Sequence, residues 1–234
     1  MSYFRNPVRK DCFAKGGRVR MIDKKEPVIS ILGDSLSTYE GFSPSRGVFF
    51  DRYNRAETGI LTVEDTWWMK VIRHFSGRLG YNHSMSGSCV TGGGSQAGTA
   101  RERIEALGIN GKPDMILVFM GCNDWAYGVD PREFTRDYRT MIRTVKEMYP
   151  EAEIWCGTLP LAQSVSPAER FFFNVDGLIS KRLYSEVIIR VAGEEKVHAA
   201  EIGADIEYET IDGVHPDCKG MDTLGRLWIR ALTQ

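Results

Sequence analysis

The sequence has no apolar run that could cross a membrane. Its longest runs, such as 28–32 and 115–120, fall far short of the roughly 20 residues a membrane helix needs. It also has no apolar stretch behind its first basic residues, so the opening MSYFRNPVRKDCFAKGG does not read as a secretory leader. The expectation is a cytoplasmic protein, or an exported one whose leader is absent from this sequence. Histidine is scarce, with four in 234 residues, and cysteine is sparse and odd in number, with five at positions 12, 89, 122, 156 and 218. No CxxC pair is present, and a scattered odd set reads as free, mostly buried thiols in a reducing compartment rather than a disulfide framework. Net charge is nearly absent: 30 Lys+Arg against 31 Asp+Glu give no overall pull toward nucleic acid or an anionic membrane.

What is present is an ordinary globular composition, 42% hydrophobic and 26% charged, which excludes a disordered chain. At this length, folding should bury roughly 70–75% of the surface the unfolded chain exposes, so a core needs no metal or disulfide. Charge is unevenly spread, however: residues 1–26 carry eight basic and three acidic side chains. They read as a basic, solvated lead-in. Residues 27–234 read as one domain, because no internal repeat and no Pro-, Gly- or Ser-rich linker divides them.

Along that domain, strand and helix patterns alternate. PVISIL at 27–32 reads as a buried strand, 66–75 as a helix with Trp67, Val71 and Phe75 on one side, and 81–85 as a weak strand. DMILVFM at 114–120 is a continuous apolar run of the kind a parallel sheet covered on both faces requires. A helix then starts at the N-cap candidate Asp130, with Pro131 and Glu133 in its first turn. Its stripe is Phe134, Tyr138, Met141, Val145 and Met148, and Pro150 stops it. Further strands are expected at 153–157 and 197–200. Helices are expected at 177–191, with Ile179, Leu183, Val187 and Val191 inward, and at 221–232. This alternation predicts an α/β protein, a mainly parallel sheet between two helical layers.

In such sheets, functional groups collect at the C-terminal ends of strands. GDSLS at 33–37, GCND at 121–124 and DGVHP at 212–216 fall at such places, and NHSMSG at 82–87 follows the weak strand. Each alone is a plausible turn, since Gly, Asp, Asn and Ser are the usual turn formers. Together they offer a serine on a tight turn, an asparagine amide, a glycine N–H and an Asp-x-x-His pair. A serine hydroxyl needs a base to become a nucleophile, and imidazole, with an unperturbed pKa of about 6.5, suits that task near neutrality. An Asp three residues before the His can orient the ring and stabilise the imidazolium.

These blocks, in this order, resemble the SGNH or GDSL hydrolases. Meeting GDS, GxND and DxxHP in order by chance is on the order of one in a hundred thousand or rarer at ordinary residue frequencies. The resemblance implies a three-layer α/β/α sandwich with a flavodoxin-like sheet. It also implies hydrolysis of acyl esters, with Ser35 as nucleophile, His215 as base and Asp212 as its partner. The backbone N–H groups of Ser35 and Gly87 and the Asn123 amide would form the oxyanion hole. No cofactor or metal is implied. The expected partner is a small-molecule or carbohydrate ester, with no nucleic acid and no membrane insertion.

Two other readings use the same residues. A metal-dependent phosphoesterase could employ Asp34, Asp124, Asp212 and His215 as hard ligands, though few spare histidines accompany them. The fold could also serve as a non-catalytic binding module. A zinc site from His215, Cys218, Cys89 and Cys122 is disfavoured by ligand spacing. The glycine-rich stretch 87–98 ends in no GK[ST] and reads as a loop over the nucleophile, not a phosphate cradle. For the substrate, Asp34, Trp68, Trp125 and Tyr127 are the candidate contacts. Phe49 and Phe50 are read as either core or pocket wall, and Arg101 and Arg103 as solvated. Polar aromatics without a long apolar stretch favour short-acyl or acetyl esters, sugar acetates among them.

Overall fold

A computed structural model describes residues 26–162, 180–203 and 207–234. All but the last residue of the basic lead-in, and the expected helix start at 177–179, lie outside the described residues. The central sheet is built from β1 (Val28–Gly33), β2 (Arg78–Ser84), β3 (Met115–Phe119), β4 (Glu153–Gly157) and β6 (His198–Ala200). These run parallel in the order β2-β1-β3-β4-β6. Both β1 and β3 are buried along their whole length, which is why they read as unbroken apolar runs. By contrast β2 is an edge strand and alternates buried with half-exposed positions. Its sequence RLGYNHS is correspondingly polar, and the strand begins three residues before the expected 81.

Right-handed crossovers decide the layers. The chain leaves β1 through α2 (Trp67–His74) to reach β2 on one side. It then returns through α3 (Arg101–Ala106) to β3, and continues outward through α5 (Pro131–Met148) and α6 (Lys181–Glu195). Reversal of direction puts α2 on the opposite face from α3, α5 and α6. The last helix, α7 (Cys218–Leu232), packs on α2, where Trp67 and Trp228 stack with ring centroids 5.0 Å apart and Phe119 meets both edge-on. On the far face Phe134 of α5 packs against Tyr184 of α6. The sheet is thus the flavodoxin-like sandwich expected.

Local chemistry accounts for most helix ends. Thr66 caps α2 by accepting the Met69 N–H, and Asp130 caps α5 by accepting that of Arg132 with Pro131 following. Asp217 caps α7, accepting the Gly220 N–H, so this helix starts a turn earlier than its apolar pattern indicated. In α6 the buried stripe is Tyr184, Val187, Ile188 and Val191, and Leu183, expected inside, is 39% exposed. The stripe is rotated because Tyr184 seats on Phe134, and its hydroxyl donates to the Val129 carbonyl. Two further short strands, β5 (Leu161–Ala162) and β7 (Glu207–Tyr208), pair outside the main sheet.

Candidate active site

The switch point of this topology lies between β1 and β3, and the loops leaving those strands flank a crevice. Ser35 opens a 3-10 turn, Ser35–Ser37, directly after β1. Asp34 caps it, its Oδ1 accepting the Leu36 N–H at 3.1 Å. Asn82, buried in β2, donates to the Ser37 carbonyl at 2.8 Å, and the Trp67 indole donates to that of Leu36 at 3.1 Å. The turn also sits hard against the end of β1. A Cβ on Gly33 would fall 2.6 Å from Ser84 Oγ and 2.8 Å from Ser37 Oγ, so only glycine fits there.

His215 reaches this turn from the other end of the chain, on the loop between β7 and α7. Asp212 organises that loop: its Oδ1 accepts the backbone N–H groups of Val214 (3.0 Å) and His215 (2.7 Å). Its Oδ2 accepts His215 Nδ1–H at 2.6 Å. Burial alone would raise the Asp212 carboxyl, but these hydrogen bonds and the charge of His215 outweigh it and hold the group below its usual 3.8. An ionised carboxylate only accepts, so Nδ1 carries the ring proton. That leaves Nε2 to accept from the Ser35 hydroxyl, 2.9 Å away. Phe49 lies flat on the imidazole, centroids 3.5 Å apart and planes 10° from parallel.

The third wall comes from the loop after β3 and the loop after β2. Asn123 sits in α4 (Cys122–Ala126), and its Nδ2 donates to the Ser88 carbonyl at 3.0 Å. A primary amide has two such protons, and the second meets no acceptor among the described residues. Asp124 is fully buried and accepts from the Val90 N–H (2.8 Å), the Thr91 N–H (3.0 Å) and the Thr91 hydroxyl (2.8 Å). The glycine-rich loop is thereby tied to α4 just past Gly87. Gly87 adopts φ +73° with open space where a Cβ would stand, so its requirement is conformational. Neither its N–H nor that of Ser35 meets an acceptor among the described residues.

These groups enclose a cavity of about 200 Å³. Ser35, His215, Gly87 and Asn123 line it, with Phe49, Trp125 and Lys181 among the other wall residues. Of the candidate substrate contacts, only Trp125 reaches it. Tyr127 is 70% exposed outside the cavity, and Trp68 is fully buried in the core beside Phe42. Asp34 is buried and lines no part of the cavity. Among the described residues its Oδ2 has no hydrogen-bond partner, and burial pushes its carboxyl up to about 7. Phe50 belongs to the core, whereas Phe49 is pocket wall.

Arg103 departs furthest from expectation. Expected in solvent, it is 1% exposed and donates to the carbonyls of Gly33 (2.8 Å), His83 (2.8 Å) and Gln96 (2.6 Å) and to His83 Nδ1 (3.2 Å). It binds the ends of β1 and β2 and the glycine-rich loop into one unit. No pattern in the sequence signals this, because the acceptors are backbone atoms. Asp34 Oδ1 and both Asp124 oxygens likewise accept backbone N–H groups. Among the described residues, no group of three or more His, Cys, Asp or Glu side chains converges as a metal site. Cys89 and Cys122 are both pushed up to about 12, chiefly by burial, which keeps them as neutral thiols.

Fold and site can now be set beside known proteins. The family model for GDSL-like lipase/acylhydrolase matches residues 27–230. The chain belongs to the GDSL-like lipase/acylhydrolase family. It is a hydrolase of ester bonds. Its fold matches a protein described as a GDSL-like lipase from Bacteroides ovatus, with 24% identity and TM-score 0.65 over 87% of this chain and 96% of that one. A second such protein, from Bacteroides uniformis, gives 24% and 0.66 over 86% and 93%. A carbohydrate acetylesterase family member from Sinorhizobium meliloti gives 15% and 0.66 over 88% and 99%. No curated protein matches in sequence. At these identities the structural likeness is one of fold. Among the described residues of this GDSL-family chain, no helix is long and apolar enough to cross a membrane.

Proposed function

We propose that this GDSL-family hydrolase cleaves short-acyl esters, acetyl esters of carbohydrates among them, through an acyl-enzyme on Ser35. The observation that carries the reading is the unbroken hydrogen-bonded line Asp212–His215–Ser35 ending in a small cavity. Ser35 Oγ attacks the ester carbonyl while His215 Nε2 takes its proton, and Asp212 stabilises the resulting imidazolium. The oxyanion is held by the Ser35 and Gly87 N–H groups and the second Asn123 amide proton, all on residues that line the cavity. Collapse breaks the C–O bond, and His215 returns the proton to the departing alcohol. Water, deprotonated by His215, then attacks the acyl-serine, releasing the acid and restoring the Ser35 hydroxyl.

Size supports a short acyl group. At about 200 Å³ the cavity is smaller than the roughly 300–1,000 Å³ typical of sites for drug-sized ligands. Trp125 gives the cavity an aromatic wall, and two fold neighbours from Sinorhizobium meliloti are described as carbohydrate acetylesterases. Hydrolysis of p-nitrophenyl esters of increasing acyl length, run beside acetylated xylan, tests the assignment. Activity should peak at acetyl to butyryl, and Ser35→Ala should abolish both turnover and fluorophosphonate labelling while leaving the melting temperature intact. Undiminished hydrolysis by Ser35→Ala would sink the proposal.

A further inference from the structure

One charged group in the cavity wall has no part in that mechanism. Lys181 is the first residue of α6 and only 8% exposed, yet it lines the cavity. Its ammonium sits over the face of Trp125, 4.7 Å from the ring centroid. Among the described residues no carboxylate lies within ion-pair distance of it, and no oxygen accepts a hydrogen bond from it. Asp34 feels the Lys181 charge, but its own carboxyl is pushed up to about 7 by burial and so is only partly charged at neutral pH.

Such a placement is adverse on two counts. A buried ammonium that meets no carboxylate among the described residues is poorly compensated, and a cation–π contact offsets only part of the cost of taking it out of water. It also stands at the positive end of a 15-residue helix, where a cation is repelled and an anion welcomed. Helix terminus and ammonium therefore act in the same direction on whatever enters the cavity. An anion there would satisfy both.

We propose that Lys181, backed by Trp125, is a specificity-determining residue that selects esters carrying a carboxylate close to the scissile bond. The inference rests on the esterase reading above. The carboxylate could belong to the acyl part, as in the half-ester of a dicarboxylic acid, or to the alcohol part, as in an acetylated uronic acid. The recognition chemistry is the same: a charge-assisted hydrogen bond to Lys181 inside a water-poor cavity.

Two substrate pairs separate these sources. Monoethyl succinate and ethyl levulinate differ in little but a carboxylate replaced by a neutral acetyl group. Acetylated methyl galacturonide and acetylated methyl galactoside place the same difference on the alcohol side. The charged member of at least one pair should be favoured about tenfold or more in kcat/KM. Lys181→Met should erase that ratio and Lys181→Arg should retain it. Equal rates on both members of both pairs, or a Lys181→Met variant that keeps the ratio, would overturn the proposal. Calorimetry on Ser35→Ala reads recognition without turnover: the charged ester of the favoured pair should bind more tightly than its neutral partner, and Ser35→Ala/Lys181→Met should lose that difference. If no ester is hydrolysed, the esterase reading fails. If neither monoethyl succinate nor the acetylated galacturonide binds more tightly than its neutral partner, the Lys181 proposal fails, whatever the fate of the other.

Discussion

Asn123 commits one amide proton to the Ser88 carbonyl, and the proposed task of the other sets the size of its loss. One oxyanion donor is worth about 2.7–4 kcal/mol of barrier. Asn123→Ala should therefore lower kcat about 10²-fold or more, read in steady-state hydrolysis of p-nitrophenyl acetate, with KM changed far less. Ser35, Asp212, His215, Asn123 and Gly87 were legible as candidates because each stands in a short motif whose geometry is set locally. In the Asp-x-x-His block, for instance, one carboxylate caps two backbone N–H groups and the ring together. Lys181 and Arg103 were not legible as neighbours of that site, and Phe49 was legible only as one of two readings, pocket wall or core. Their roles arise when segments distant in sequence pack together, and no spacing rule connects Phe49 to His215 or Arg103 to the Gly33 carbonyl. Trp68 misled for the opposite reason: proximity to the nucleophile in sequence suggested the pocket, but the inward face of α2 took it into the core.

At the scale of elements, the end of β1 is the least forgiving place. Gly33 is pressed between Ser37 of the nucleophile turn and Ser84 of β2, so a methyl group there must displace one of them. Gly33→Ala should cost about 1–3 kcal/mol as overpacking. Thermal unfolding should show a melting temperature lower by roughly 2–4 °C per kcal/mol for a chain of this size. Activity should fall well beyond the fraction unfolded, since the displaced group carries or buttresses Ser35. Buried strands and capped helices were plain in the sequence: 114–120 and the start at Asp130 needed no tertiary context. The edge strand β2 was faint because half of it faces outward and looks like any polar loop. The rotated stripe of α6 shows how one aromatic contact, Tyr184 on Phe134, outranks a spacing that also fitted Leu183.

For the whole molecule, two buried titrating groups pull stability in opposite directions. Asp34 is raised to about 7 by burial. The native state therefore holds its proton where the unfolded chain has released it. Its contribution is complete below 3.8 and is lost as pH rises through about 7, on the order of 4 kcal/mol in all. His83, lowered to about 4 by burial and then by Arg103, does the reverse. Its contribution is present above 6.5 and fades as pH falls toward 4. Replacing Asp34 by Asn removes only the first trend. Urea denaturation at pH 4.5, 6, 7.5 and 8.5 should show Asp34→Asn gaining on the parent up to about pH 7, with a constant margin beyond. A margin independent of pH would show that Asp34 is not raised. The overall sandwich was legible from alternation alone, because right-handed crossovers leave few ways to arrange strands so patterned. The Ser35–His215 hydrogen bond that spans it joins residues 180 positions apart. The base-bearing loop, and the α7 helix that sets Trp228 against Trp67 behind the nucleophile turn, lie far along the chain from that turn. Any cleavage between them that lets the pieces part separates the serine from its proposed base. Under the proposed mechanism, hydrolysis therefore reports an intact domain.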